Sequence, residues 1–341
     1  MTDNQRHVKI GVYLICKNEK DFIERCYETI KEADAIVICD TGSTDGTPEL
    51  MLNKQRMDRP SLIVKNISVS PWRFDDARNT AMMLLPNDID VCVSIDADEL
   101  MESGWYQLLK SEVEKDIAEK GKPFDRYHHR FKTIWDWDKG GINVSEHWHE
   151  RIHTRHGYMW KLPVHEHIVK CDGTREEIKW LKDLQMTQKP DTTKNRGSYL
   201  QMLKQSAKED KKRWKTFSFL AGEYINAGFY QEAVEAIEHA LKLPDSDKAF
   251  LYYQLSSINK RQKDYDAAIS NMMNVCKNAP HVREYIVYLA QTYVEANRQS
   301  DAVAAIDRAT KITERTFGYE YNSACWGDRF NQLAMSIKES K

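Results

Sequence analysis

Apolar positions in the first hundred residues alternate between short unbroken runs and helical spacing. Lys9–Cys16 is apolar and rich in β-branched residues, which predicts a buried strand. In "DFIERCYETIKEA" (21–33), Phe22, Ile23, Cys26, Tyr27 and Ile30 recur at three- and four-residue steps, the stripe of an amphipathic helix. "AIVIC" (35–39) is a second strand run, followed by a Gly/Ser/Thr turn. Thr47-Pro48 then reads as an N-cap with proline in the first helical turn. The pattern continues with a strand over 61–69, a helix over 75–85, a strand over 90–95 and a helix from 103 to about 118. Strands alternating with helices at this spacing predict a mainly parallel sheet covered on both faces. From 124 to 169 the chain is rich in Trp, His and Tyr around Gly140-Gly141, and reads as hairpins and loops that complete the first domain.

Beyond residue 216 the period changes. "YINAGFYQEAVEAIEHAL" (224–241), "INKRQKDYDAAISNMMNVC" (258–276) and "YVEANRQSDAVAAIDRAT" (293–310) align on Ala233, Ala268 and Ala302. That spacing is close to the roughly 34-residue period of tetratricopeptide repeats. The third copy has Arg298-Gln299 where such repeats prefer glycine and an aromatic. The expected organisation is a first domain over 1–178, a basic connection over 179–215 that turns helical near Asn195, and helical repeats over 216–341.

Composition narrows the classes. A chain of 341 residues with 41% hydrophobic residues suits two folded domains. A net charge of −2 gives no global attraction to nucleic acid or membrane. Seven cysteines without a CxxC pair read as reduced thiols, and the start has neither a signal-peptide layout nor a run long enough to span a bilayer. A cytoplasmic protein without membrane insertion is the expectation.

The chemistry gathers where strands end. "SIDADELM" (94–101) closes an apolar run with three carboxylates in four residues. Mutually repelling acids at a buried strand end call for a positive partner. Asp96 and Asp98, two apart on extended chain, share a side, and such a pair suits a hard divalent cation. "KNE" (17–19), "DTGSTDGT" (40–47) and "FDDARN" (74–79) fall at equivalent places on the same sheet edge, where open α/β sheets bind ligands. Together they describe a nucleotide site with a metal.

The ordered set "ICKNEKDFIERCYETI", "IVICDTGSTDGT", "ARN" and "SIDADE" resembles the successive signatures of family 2 glycosyltransferases, strongly over about 8–105 and more weakly to about 170. The resemblance implies a GT-A fold, Rossmann-like with a mainly parallel sheet, followed here by an all-α tetratricopeptide-like domain. It further implies that Asn18 and Glu19 border the nucleoside, that Asp40 contacts the base, and that Asp45 and Arg78 line the nucleotide-sugar pocket. Asp96 and Asp98 would hold the ribose and a Mn²⁺ or Mg²⁺ ion on the diphosphate of a donor such as a UDP-sugar. Relatives often carry "DF" before "ARN", whereas this chain has Arg73-Phe74 with Asp75-Asp76 behind it, so Arg73 and Asp76 are expected to affect donor choice.

"LPVHEHI" (162–168) resembles a late Val-His-Glu element, which makes His165 a candidate third metal ligand and Glu166 a candidate base beside catalytic Asp98. Arg151 is expected to face the donor phosphates, and Trp135, Trp137, Trp148 and Trp160 offer either a stacking floor or core. "HERIH" (149–153) fits the zincin pattern H-E-x-x-H, but its near-alternating surroundings predict a strand, in which the two histidines do not share an ion. The expected activity is metal-dependent hexosyl or pentosyl transfer, inverting in most of the family. Helical hairpins suit a protein or peptide acceptor. The basic stretch with Trp180, Tyr199 and Trp214 leaves open a modified base in DNA, and a nucleotide-binding repeat scaffold without turnover is the non-enzymatic alternative.

Overall fold

The structure is a computed structural model, and it describes residues 7–58, 61–135, 137, 144–190, 199–318 and 322–339. The chain divides between residues 194 and 195 into two compact units, with 143–145 grouped with the second.

The first unit is built on an eight-stranded sheet. Its strands are β1 (Ile10–Cys16), β2 (Ala35–Asp40), β3 (Leu62–Asn66), β4 (Val91–Ser94), β5 (Glu99–Met101), β6 (Arg126–Ile134), β7 (Val144–Thr154) and β10 (Ile178–Gln188), in the order β3-β2-β1-β4-β7-β6-β10-β5. β1 runs parallel to both β2 and β4, and β2 runs parallel to β3, as the alternation of strand and helix predicts. β7 then joins β4 antiparallel, so the sheet is mixed beyond its first four strands. β8 (Tyr158–Lys161) and β9 (His167–Lys170) form a separate antiparallel pair.

Every residue of β1 and β2 is buried, which is why their sequences are apolar without alternation. One face of the sheet packs on α1 (Lys20–Ile30), α2 (Thr47–Asp58) and α4 (Trp105–Lys120) through residues such as Ile23, Tyr27, Met51 and Leu109. The other packs on α3 (Phe74–Met83) and the β8–β9 pair through Ala77, Ala81, Tyr158 and Trp160. Each fully buried aliphatic or aromatic side chain contributes about 1.5–3 kcal/mol of transfer free energy.

Two expectations change here. The segment expected to begin as an irregular connection is β10, a full member of the sheet, parallel to β6 and antiparallel to β5. Its register shifts between Leu181 and Gln185, which breaks the alternation that would have marked a strand. Its basic character is also partly neutralised, because Lys179 Nζ lies 2.8 Å from Glu112 and pairs with Asp116. "HERIH" lies in β7, as its alternation predicts, so His149 and His153 are not one helical turn apart.

The second unit is all helical: α5 (Tyr199–Glu209), then hairpins α6 (Trp214–Ala227)/α7 (Tyr230–Leu241), α8 (Lys248–Arg261)/α9 (Tyr265–Asn278) and α10 (Arg283–Glu295)/α11 (Gln299–Thr310), then α12 (Gly327–Glu339). Ala233, Ala268 and Ala302 are fully buried at equivalent positions in the second helix of each hairpin. The turns are equivalent too. Gly228, Lys263 and Asn297 have φ of 80°, 62° and 58°, the left-handed conformation that closes each first helix. The glycine position of the third hairpin is thus Asn297, one residue before the Arg298 expected there; it and Lys263 close their helices without glycine, and asparagine tolerates that region.

Candidate active site

The polar clusters at the strand ends first hold each other. Asn18, with φ of 55°, accepts from the Thr44 amide at 2.8 Å through Oδ1, and its own amide donates to Ser43 Oγ at 2.8 Å. The Glu19 amide donates to Thr47 Oγ1 at 2.9 Å, and Asp45 accepts from the Lys20 amide at 3.0 Å and the Thr47 hydroxyl at 2.6 Å. The loops after β1 and β2 are thereby tied together. Asp45 caps α2, a role the sequence pattern gave to Thr47. Asp40, buried at the end of β2, accepts from the Gly42 and Ser43 amides at 2.9 Å each and from the Ser43 hydroxyl. Its carboxylate shapes the turn that Gly42, with φ of 100°, makes possible.

The acids after β4 meet two arginines. Arg78 lies on the buried face of α3 and donates to Asp96 at 2.6 Å, to Glu166 at 2.5 Å and to Ser94 Oγ at 3.4 Å. Arg151, from β7, donates to Asp96 at 2.7 Å and to both oxygens of Glu99 at 3.2 Å. Glu99 in turn accepts from the Asp96 amide at 2.8 Å. The positive partner demanded at this strand end is thus supplied by the protein.

Burial alone would raise the carboxyl of Asp96, but the guanidiniums of Arg151 and Arg78 outweigh it and hold the group well below the usual carboxylate range. Glu99 goes the other way. Burial pushes it up to about 8, against Arg151 and with help from the neighbouring Asp96 and Asp98. Glu99 therefore holds a proton more readily than an ordinary carboxyl, and the guanidiniums of Arg78 and Arg151 share the carboxylate of Asp96.

The rest of "ARN" has a physical role of its own. Ala77 packs in the core, and the Asn79 side chain pairs with the backbone of Trp160, accepting at 2.8 Å and donating at 2.9 Å. This fixes β8 to α3 and sets Trp160 beneath Arg78, whose guanidinium lies 5.2 Å from the ring centroid. Trp160 is core and not an exposed floor, since its Nε1 donates to the Tyr13 hydroxyl at 2.7 Å. Trp135 and Trp137 are exposed, and Arg25 lies over the Trp137 ring at 4.8 Å. Trp148 stands edge-on to Trp180 at 4.9 Å.

The Tyr13 hydroxyl also contacts His153 Nε2 at 3.0 Å, and desolvation lowers that fully buried imidazole to about 3. A histidine kept neutral in the folded state and titrating normally when unfolded favours unfolding as pH falls. Stability contributed by this group is complete above about 6.5 and declines towards about 3, by up to about 1.4 kcal/mol per pH unit. His153→Gln should flatten the acid limb of the melting temperature between pH 6.5 and 4, measured by calorimetry. An unchanged slope would contradict this account.

Of the predicted site residues, Arg78, Asp96, Arg151 and Glu166 form one cluster, and Asn18, Glu19, Asp40 and Asp45 belong to the paired loops. Asp76 joins neither. Its side chain is exposed and 3.6 Å from Arg73, while Asp75, not singled out from sequence, takes Arg73 at 3.0 and 2.7 Å. Asn79 and Glu99 lie within the motifs, but the sequence alone gives them no role. The signal for Glu99 was its place in an acid cluster with two apolar neighbours.

A divalent ion needs hard oxygen donors. Asp96 is committed to two guanidiniums, and no three His, Cys, Asp or Glu side chains are grouped as a metal site among the described residues. Of the expected set of Asp96, Asp98 and His165, Asp96 meets the two arginines and His165 occupies a turn with φ of 49°. Asp98 is partly exposed and accepts from Gln188 Nε2 at 3.2 Å. The Asp98 carboxylate fits an ion that arrives with a diphosphate and completes its shell with phosphate oxygens and water.

Comparison with known proteins agrees with the motif order. Residues 12–180 match glycosyl transferase family 2, and residues 251–281 match a tetratricopeptide repeat. The lipopolysaccharide core biosynthesis glycosyltransferase LpsC of Rhizobium meliloti is 31% identical over 100 residues, covering 29% of this chain and 35% of that protein. The chain thus spans about a third of the length of that relative. Among solved structures, MamA from Desulfovibrio magneticus RS-1 is 23% identical, with 35% of this chain and 68% of that one covered and a TM-score of 0.31. YrrB, described as a TPR protein with an unusual peptide-binding site, is 17% identical, with 33% and 57% covered and a TM-score of 0.29.

Proposed function

Residues 12–180 of this chain belong to glycosyl transferase family 2, and from that premise we propose that the protein transfers a sugar from a nucleotide-diphosphate donor to a protein or peptide acceptor. The observation that carries the reading is the meeting of Asp96, Arg78, Arg151 and Glu166 beside the paired loops of Asn18–Thr47 at the ends of parallel strands. Open α/β sheets bind nucleotides at that edge.

In this reading the chain's own groups divide the work. The loops after β1 and β2 hold the nucleoside, with Asp40 acting on it through the turn it organises. Asp96 fixes the two guanidiniums in a dry setting, where they offer standing positive charge to a departing diphosphate. Asp98 would hold a Mn²⁺ or Mg²⁺ ion, which when bound neutralises charge on the leaving phosphate as a Lewis acid. One oxygen of Glu166 is engaged by the Arg78 guanidinium at 2.5 Å. Its proposed role is to position Arg78. The base that activates the acceptor is then another group, or the acceptor itself.

The donor is assigned by a thermal-shift panel of UDP-, GDP- and dTDP-sugars with and without Mn²⁺. A ligand that binds only the folded state raises its melting temperature, by about 2.7 kcal/mol of stabilisation at a hundred times Kd. A shift for UDP-sugars that requires Mn²⁺ is expected. No shift with any nucleotide sugar would overturn the reading.

A further inference from the structure

We infer that the helical-repeat unit binds an acidic peptide segment in a groove between the second helices of two consecutive hairpins. A cavity of about 500 Å³ opens there. One wall is α9, the other is α11, and the floor is the face of α10 that carries Ile286, Leu289 and Tyr293. The groove is built from residues of the helical-repeat unit and does not depend on the glycosyl-transfer reading.

Its chemistry is specific. The floor is apolar, and Met273 stands at the rim 56% exposed. Lys277 and Arg308 line the same cavity from opposite walls, and both are exposed. Among the described residues neither is paired with a carboxylate. Asp301, the acid in the lining, is already taken by Arg298 at 2.7 Å. The nearby Asp307 pairs with Lys338. The groove therefore presents two uncompensated cations over an apolar floor.

The complementary ligand is a peptide with a bulky apolar side chain flanked by Asp or Glu. The apolar group would cover Met273 and Tyr293, and carboxylates would reach Lys277 and Arg308. Methionine suits such a role because its flexible thioether adapts to different side chains.

The test is selection of a randomised seven-residue display library on the full chain, repeated on two variants. Lys277→Glu/Arg308→Glu reverses the charge, and Ala304→Trp fills the cavity from an exposed helical position without altering charge. Circular dichroism melts confirm that each variant folds. The wild-type chain should enrich sequences with an acidic residue next to a large apolar one. A synthetic fluorescein-labelled copy of the top sequence should bind the charge-reversed variant roughly tenfold or more weakly, and the Ala304→Trp variant more weakly as well. Enrichment without acidic bias, or equal binding by all three proteins, would overturn the inference.

Discussion

Arg78→Met is expected to lower the melting temperature of the N-terminal unit by about 10 °C. The side chain is buried and is held by carboxylates on two sides, Asp96 at 2.6 Å and Glu166 at 2.5 Å. Removing one partner from such an arrangement leaves charge in a poorly solvated site, which costs about 3–5 kcal/mol. Asp96 keeps some contact with solvent and retains Arg151, so the lower end of that range applies. In a domain of this size about 3 kcal/mol corresponds to roughly 6–12 °C. Arg78→Lys should recover only part of the loss, because an ammonium cannot fork between two carboxylates. Calorimetry of the wild type and both variants decides the matter, and a methionine variant that melts within about 2 °C of wild type would show that the cluster is not a stability element.

Asp98→Asn should have the opposite signature. Its carboxylate lies outside the arginine cluster and accepts from Gln188 at 3.2 Å, a contact that asparagine can keep. The melting temperature is expected to stay within about 2 °C. Turnover of the nucleotide sugar identified by thermal shift should fall by about 10²–10³, the usual cost of removing one group that stabilises developing charge. The Mn²⁺-dependent part of the nucleotide-induced shift should disappear as well. Asp96→Asn, by contrast, should lose both stability and activity, because it strips Arg78 and Arg151 of their shared anion. Equal behaviour of the two variants would remove the distinction drawn between these acids.

The difference between Asp96 and Asp98 was not legible in the motif. Both are aspartates in a D-x-D pattern at a strand end, and spacing alone makes them equivalent. Arg78 is 18 residues from Asp96, Glu166 is 88 residues from Arg78 and Arg151 is 55 from Asp96, so no local pattern ties them together. Motif order located the neighbourhood correctly. Only the packing of α3 against the sheet, and the antiparallel entry of β7 beside β4, showed which acid the arginines would take.

β10 teaches a similar lesson. "IKWLKDLQMTQ" reads as basic and irregular because a register shift interrupts its alternation and its two lysines either face outward, as Lys182 does, or pair with acids of α4, as Lys179 does. A strand of that kind is recognised by its partners, β6 and β5, and not by its own periodicity. The helical repeats were the easier case. Each hairpin repeats its small buried alanine and its left-handed turn at nearly the same interval, and the contacts that stabilise it lie within about 34 residues.

The sequence by itself determined the alternating strands and helices of the first hundred residues, the three helical hairpins, and the edge of the sheet where polar groups collect. These follow from periodicity and local conformational preference, which act over a few residues. Tertiary structure alone decided that Asp96 belongs to two arginines, that Glu99 is buried with its carboxyl pushed up, and that β10 completes the sheet. Charge pairing and desolvation depend on which distant side chains share a dry space, and that is fixed only once the chain has packed.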